Sequence, residues 1–199
     1  MDYKKDENNI YLPKAKPEVL TIPKYKFFAI DGKGDPNGED FEQNVEALYS
    51  LAYAVKMSKS RPEGYFEYKV YPLEGVWTSE TEDISDKSKF IYTIMIRQPD
   101  FVGKAYAEKI IEEVKKRKKN PKLECAKFFE YEEGISVQMM HIGSYDSEPA
   151  SFEIIHNFMK ENKLSRKDAA YHREIYLSDP RKTPAEKHKT VIRVQVKNI

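Results

Sequence analysis

One cysteine, Cys125, is all the thiol this chain of 199 residues carries, so no internal disulfide can form. No apolar run is long enough to cross a bilayer, and the opening residues lack a basic stretch followed by an apolar one. The chain therefore reads as cytoplasmic, with no membrane partner. Charge of one sign is missing too. The 34 Lys and Arg face 33 Asp and Glu for a net +1, which builds no field to hold nucleic acid. The one basic run, Lys115 to Lys119, ends a helix-like segment, where the macrodipole favours cations, and no aromatic is interleaved with it to stack on bases. The four histidines, His141, His156, His172 and His188, show no two-ligand spacing, so neither metal nor cofactor is expected. No Ser or Cys stands in an elbow motif with a matching base. The glycine-rich Gly32 to Gly38 lacks the Gly-Lys-Ser/Thr ending of a phosphate loop.

Aromatics, by contrast, are plentiful: 14 Tyr and 10 Phe beside a single Trp. That number can fill a core, and it also suits a pocket for a flat organic ligand. The stretch His172 to Pro180, HREIYLSDP, alternates as a strand does, with His172, Glu174 and Tyr176 on one face and Arg173, Ile175 and Leu177 on the other. A similar stretch, EYKVYPLEG, runs from Glu67 to Gly75. Each is followed by an apolar run, Phe90 to Arg97 and Thr190 to Val196. Each is preceded by a helix-like segment and, before that, a strand-like one, Tyr25 to Asp31 and Ile135 to Ile142.

This pattern predicts an α+β fold made of a duplicated strand-helix-strand-strand unit. Two pseudo-symmetric halves would share an antiparallel sheet, with helices packed on one side and a ligand cleft between the halves. Glu174 and Tyr176 would face Lys69 and Tyr71 across that cleft. A loosely ordered tail is expected over residues 1–17, where only Ile10, Tyr11 and Leu12 could dock. A single domain follows over 18–199: a first half at about 18–98, a linking helix at about 100–119 and a second half at about 122–199.

Local signals fill in the elements. Pro23-Lys24 and Glu132-Glu133-Gly134 read as hairpin turns, and Gly32, Gly34, Pro36 and Gly38 as a loop. Helices are expected from Glu39 to Met57, after an N-cap at Asp100, and from Pro149 to Asn162 with Ser147 as cap. A strand is expected from Ala170 to Asp179. Tyr145 sits in the exposed loop before the third helix. Trp77, Tyr65, Phe66 and Tyr71 belong either to the core or to a cleft wall.

The segments PLEGVW (Pro72 to Trp77), MIRQPDFV (Met95 to Val102), MHIGSYDSEP (Met140 to Pro149) and HREIYLSDPRKTPAEKHKTVIR (His172 to Arg193) resemble the GyrI-like small-molecule-binding family. The resemblance implies an α+β fold whose strands line a cleft for planar hydrophobic molecules. Relatives include gyrase-inhibitor proteins and the drug-sensing domains of transcription regulators, and this chain carries no helix-turn-helix. Its nearest likeness is to the stand-alone cyclopropanoid cyclopropyl hydrolases, which open the strained ring of DNA-alkylating natural products. That resemblance implies Glu174 as the base acting on water, with Tyr71, Tyr145 or Tyr176 donating to the developing oxyanion. Trp77, Phe66, Tyr65 and Tyr71 would contact the planar rings, beside Lys69 and His172. The alternative is a drug-binding protein without chemistry, in which Glu174 binds cations and pairs with Lys69. A third reading is a protein that binds gyrase.

Overall fold

The computed structural model describes residues 1–81, 86–168 and 172–199. The chain divides into two compact units, one formed by Met1 and Tyr25–Tyr131, the other by Asp2–Lys24 and Glu132–Ile199. It is a mixed α+β protein with antiparallel sheet pairing.

Two short helices, α1 (Tyr3–Asp6) and α2 (Asn8–Tyr11), open the chain and precede β1 (Glu18–Lys33). Within the tail read from sequence, Ile10 and Tyr11 are buried and Leu12 is exposed. The expected turn at Pro23-Lys24 does not form, and β1 runs straight through it. The favoured two-residue hairpin turns need positive φ at the first central residue, and proline is locked near −65°. The turn expected at Glu132–Gly134 is likewise absent, since β4 (Lys127–Ile142) is continuous, with Gly134 at φ +70°. Both misread turns lie where the chain passes from one unit to the other, at Lys24/Tyr25 and Tyr131/Glu132. The composition marked a boundary there, not a reversal.

In the first unit β1 pairs with β3 (Phe90–Gln98), from Lys26↔Gln98 to Lys33↔Ile91, and β3 pairs with β2 (Leu73–Ser79). Gly32 therefore lies in the strand, not in a loop. Its partner Tyr92 lays its ring where a Cβ would sit, 2.3 Å from the Tyr92 ring edge. Helix α3 (Glu39–Met57) packs on β3 through a buried stripe that includes Ala47, Leu48, Leu51, Ala52 and Val55. Helix α4 (Lys104–Arg117) buries Ala107, Ile110, Ile111 and Val114, and packs on α3. Its N-cap is Gly103, not Asp100, because the Pro99 carbonyl first closes a turn onto the Val102 N–H. The earlier of the two matched stretches, Glu67 to Gly75, is strand only at its end: residues 65–72 have no regular secondary structure, and β2 begins at Leu73 after Pro72.

In the second unit β7 (Lys189–Asn198) is central. It pairs with β4 from Ser136↔Gln195 to Ile142↔Lys189, with β6 (His172–Tyr176) from Arg173↔Arg193 to Tyr176↔Thr190, and with β5 (Leu164–Arg166). The strand expected over Ala170 to Asp179 ends at Tyr176, and Ala170 and Tyr171 lie outside the described residues. Helix α5 (Glu148–Glu161) covers one face, burying Ile155 and Met159 against Val137, Met139, Ile192, Val194 and Val196. The opposite face carries a buried polar network. Arg193 donates to Gln138 at 2.8 and 3.0 Å, to Glu133 at 3.1 Å and to the Ile10 carbonyl at 3.1 Å. Arg173, paired with Arg193 across the ladder, reaches the same Glu133 oxygen at 3.3 Å.

Candidate functional site

Directly paired residues of antiparallel strands share a face. Glu174 pairs with Ile192, and Ile192 with Met139, so Glu174 lies on the face that α5 covers. The strand period of two brings His172 and Tyr176 to the same side, as the sequence predicts. Glu174 is 8% exposed, and both of its oxygens are engaged. Oε1 accepts from His172 Nε2 at 3.0 Å, and Oε2 accepts from the Tyr176 hydroxyl at 2.7 Å. A carboxylate only accepts, so this contact places the His172 proton on Nε2. The His172 ring is half-buried and stands edge-on to Phe152 of α5, with centroids 5.0 Å apart.

The loop into α5 adds Tyr145 and Glu148. Gly143, at φ +146°, makes the turn, and a Cβ there would lie 2.7 Å from Ser147 Oγ. His141 ties the loop to the helix through Ser151 Oγ at 2.9 Å and the Ser144 carbonyl at 3.0 Å. Ser147 occupies the N-cap position of α5, as expected, but its hydroxyl donates to the Ser144 carbonyl at 2.6 Å and makes no side-chain cap bond. The Tyr145 ring stands perpendicular to Tyr176 at 5.9 Å and lies 5.5 Å from His188. Burial first, then the neighbouring acidic groups with Glu174 foremost, push its phenol up to about 12. His188 Nε2 donates to the Thr183 carbonyl at 2.8 Å, which leaves Nδ1 a buried acceptor with no partner among the described residues.

Glu148, the first residue of α5, is 7% exposed and hydrogen-bonded to Glu174. Its carboxyl is pushed up to about 9, chiefly by burial, then by the Glu174 charge and the shared hydrogen bond, then by Asp146. A helix N-terminus favours a carboxylate by only about 0.3–1 kcal/mol. Burying an uncompensated charge costs several kcal/mol, so the neutral acid wins at Glu148. Sequence reasoning missed this residue. The available signal was its place in MHIGSYDSEP directly before Pro149, a proline that suits the first turn of a helix.

The aromatic residues predicted for ligand contact lie in the first unit, in two groups. Tyr65 and Phe66 pack on Phe101 at 5.1 and 5.4 Å, and Tyr68 stacks on the buried Tyr71. The Arg97 guanidinium covers Tyr25 at 3.3 Å and Tyr71 at 4.5 Å. Trp77 belongs to a separate cluster with Phe41, Phe90 and Tyr92, and is buried. Lys69 is exposed, and its backbone N–H donates to the Met1 carbonyl at 3.0 Å. Among the described residues no group of three His, Cys, Asp or Glu is placed to hold a metal ion, and no helix is long and apolar enough to cross a membrane.

Comparison with known proteins places the chain in a family. No protein with a curated description matches the chain. Three crystal structures from Listeria innocua match it from end to end. One, an uncharacterised conserved protein, has a TM-score of 0.92 and 40% identity, covering 99% of this chain and 100% of that one. Two are of proteins described as hydrolases. The first has a TM-score of 0.91 and 40% identity over 99% of each chain. The second has a TM-score of 0.89 and 38% identity over 99% of this chain and 100% of that one. The model of the GyrI-like small molecule binding domain matches residues 15–197, nearly the whole chain, and the protein belongs to that family.

Proposed function

We propose that this protein binds planar hydrophobic small molecules and hydrolyses the cyclopropane ring of cyclopropanoid DNA-alkylating toxins, and so detoxifies them in the cytoplasm. The observation that carries this reading is a buried carboxylate, Glu174, held at both oxygens by donors from its own strand. The hydrolase description of two relatives at about 40% identity supports it.

The substrate class is a cyclopropane fused to a dienone. Water attacks the ring CH2: a C–O bond forms, a strained C–C bond breaks, and its electron pair moves through the dienone to leave a phenolate. Glu174 takes the proton from water and returns it to the phenolate oxygen as product leaves, so the net change is addition of one water. His172 and Tyr176 fix the carboxylate. The Tyr176 proton is already committed to Glu174, so Tyr145, whose ring stands against Tyr176, is the donor to the developing oxyanion. Within the first unit, Tyr65 and Phe66 are the accessible aromatic faces for planar rings, Trp77 and Tyr71 are buried in their own clusters, and Lys69 is exposed.

The family's description as small-molecule binding favours a second reading, capture without chemistry. Incubating a cyclopropane-containing alkylator with the protein in heavy-oxygen water separates the two. Hydrolysis puts one labelled oxygen into the product over many turnovers, and capture returns the ligand unchanged.

A further inference from the structure

Two glutamates meet at this site, and the hydrolytic reading uses only one. We propose that Glu148 is a positioning residue for Glu174: a neutral acid that donates its proton to the Glu174 carboxylate, making the two side chains a dyad with one negative charge. The proposal rests on the hydrolytic reading of Glu174, and the geometry decides which partner holds the proton. Both residues are buried, at 7% and 8% exposure, and the Glu148 carboxyl is within hydrogen-bonding reach of Glu174, so both cannot be anions in contact. Glu174 receives the Tyr176 hydroxyl and His172 Nε2, two donors that stabilise its charged form. Glu148 Oε1 is buried and receives none among the described residues. The proton therefore sits on Glu148, and the charge on the oxygens that meet donors.

The groups facing the dyad agree. The loop and first turn of α5 bring Tyr145 and Asp146, β6 brings His172 and Tyr176, and the segment after β6 brings Asp179 toward Tyr145. The charges acting on Glu148, those of Glu174 and Asp146, are both negative and disfavour its ionisation. A neutral Glu148 fixes the rotamer of Glu174 and keeps its charge where it can accept one proton from water. Once Glu148 loses its proton, two anions repel in a dry site and the alignment fails.

The test follows isotope-labelled glutamate carboxyl carbons by NMR in the full chain across pH, beside the pH profile of turnover. One carboxyl is expected to keep its protonated shift through neutral pH and to titrate near 9. That signal disappears in Glu148→Gln and titrates at lower pH in Glu174→Gln. Turnover is expected to fall above that pH in the wild type, to lose this alkaline limb in Glu148→Gln, and to drop by roughly a hundredfold at neutral pH in Glu148→Ala, where the carboxylate is no longer held. Every glutamate ionised at neutral pH, or a protonated signal that survives in Glu148→Gln, overturns the proposal. A wild type that shows the protonated carboxyl but turns nothing over overturns the hydrolase reading and leaves the dyad standing.

Discussion

Tyr176 donates its phenolic hydrogen to Glu174 at 2.7 Å from two residues along the same strand. No loop motion or ligand is needed to make that bond, because the pleat of β6 places both side chains on one face. Under the proposed hydrolysis the carboxylate is thus aligned before substrate arrives, which is the condition for an effective base in a dry site.

Tyr176→Phe removes one hydrogen bond to a charged group, about 1.5–3 kcal/mol. Turnover is expected to fall by roughly tenfold to a hundredfold, with the fold retained, since the ring and its contact with Tyr145 remain. Steady-state kinetics and a melting curve on the same sample check both halves. Wild-type kcat in the variant removes Tyr176 from the account.

Stability should depend on pH through Glu148. In the unfolded chain its carboxyl titrates near 4.5, and in the folded protein near 9, because burial favours the neutral form. Between these values the unfolded state releases a proton that the folded state keeps, so stability falls as pH rises through that window and levels off above it. Urea denaturation at several pH values measures the slope. Glu148→Gln, which cannot ionise, is expected to flatten it and to be more stable than wild type at alkaline pH.

The polar network on the far face of the same sheet is expected to carry stability. Arg193 meets Gln138, Glu133 and the Ile10 carbonyl, and Gln138 Nε2 donates to the Asn9 carbonyl at 2.6 Å. Arg193→Met leaves Glu133 with fewer buried partners and should cost about 3–5 kcal/mol. Deleting residues 1–11 removes two backbone acceptors and should cost about 1–3 kcal/mol for each stranded donor. Denaturant midpoints test both. A truncated chain as stable as the full one would show that the segment holds nothing.

Gly143→Ala should disturb the site without touching a catalytic group. The residue sits at φ +146°, and a Cβ would lie 2.7 Å from Ser147 Oγ and 3.4 Å from His141 Nε2. Backbone strain of this kind costs about 1–3 kcal/mol, and the loop it distorts carries Tyr145 and Glu148. The expected result is a lower melting temperature together with reduced ligand affinity by calorimetry. Unchanged affinity would mean the loop does not shape the site.

How much of this was legible in the sequence depends on how far apart the interacting residues lie. The helix Glu39–Met57 and the shared face of His172, Glu174 and Tyr176 follow from local periodicity, and both are present. The turns at Pro23-Lys24 and Glu132–Gly134 were misread because proline and glycine mark a change of unit as readily as a reversal. The strand-like stretch read over Glu67 to Gly75 forms strand only from Leu73, because the aromatic run before it packs its rings on Phe101 and on one another instead of pairing its backbone. Glu148 was invisible because its environment is set by a residue 26 positions away in sequence, on another element. Ser147 stands at the N-cap as read, although its hydroxyl bonds the Ser144 carbonyl in place of the helix N–H groups.

The most direct test of the central claim follows the dienone absorbance of a cyclopropane-containing DNA alkylator mixed with wild-type protein and with Glu174→Gln. Wild type is expected to bleach the dienone over many turnovers, giving a product one water heavier, and the variant to bind the compound and leave it intact. Equal turnover by both proteins would contradict the role given to Glu174, and no turnover by either would make this a binding protein.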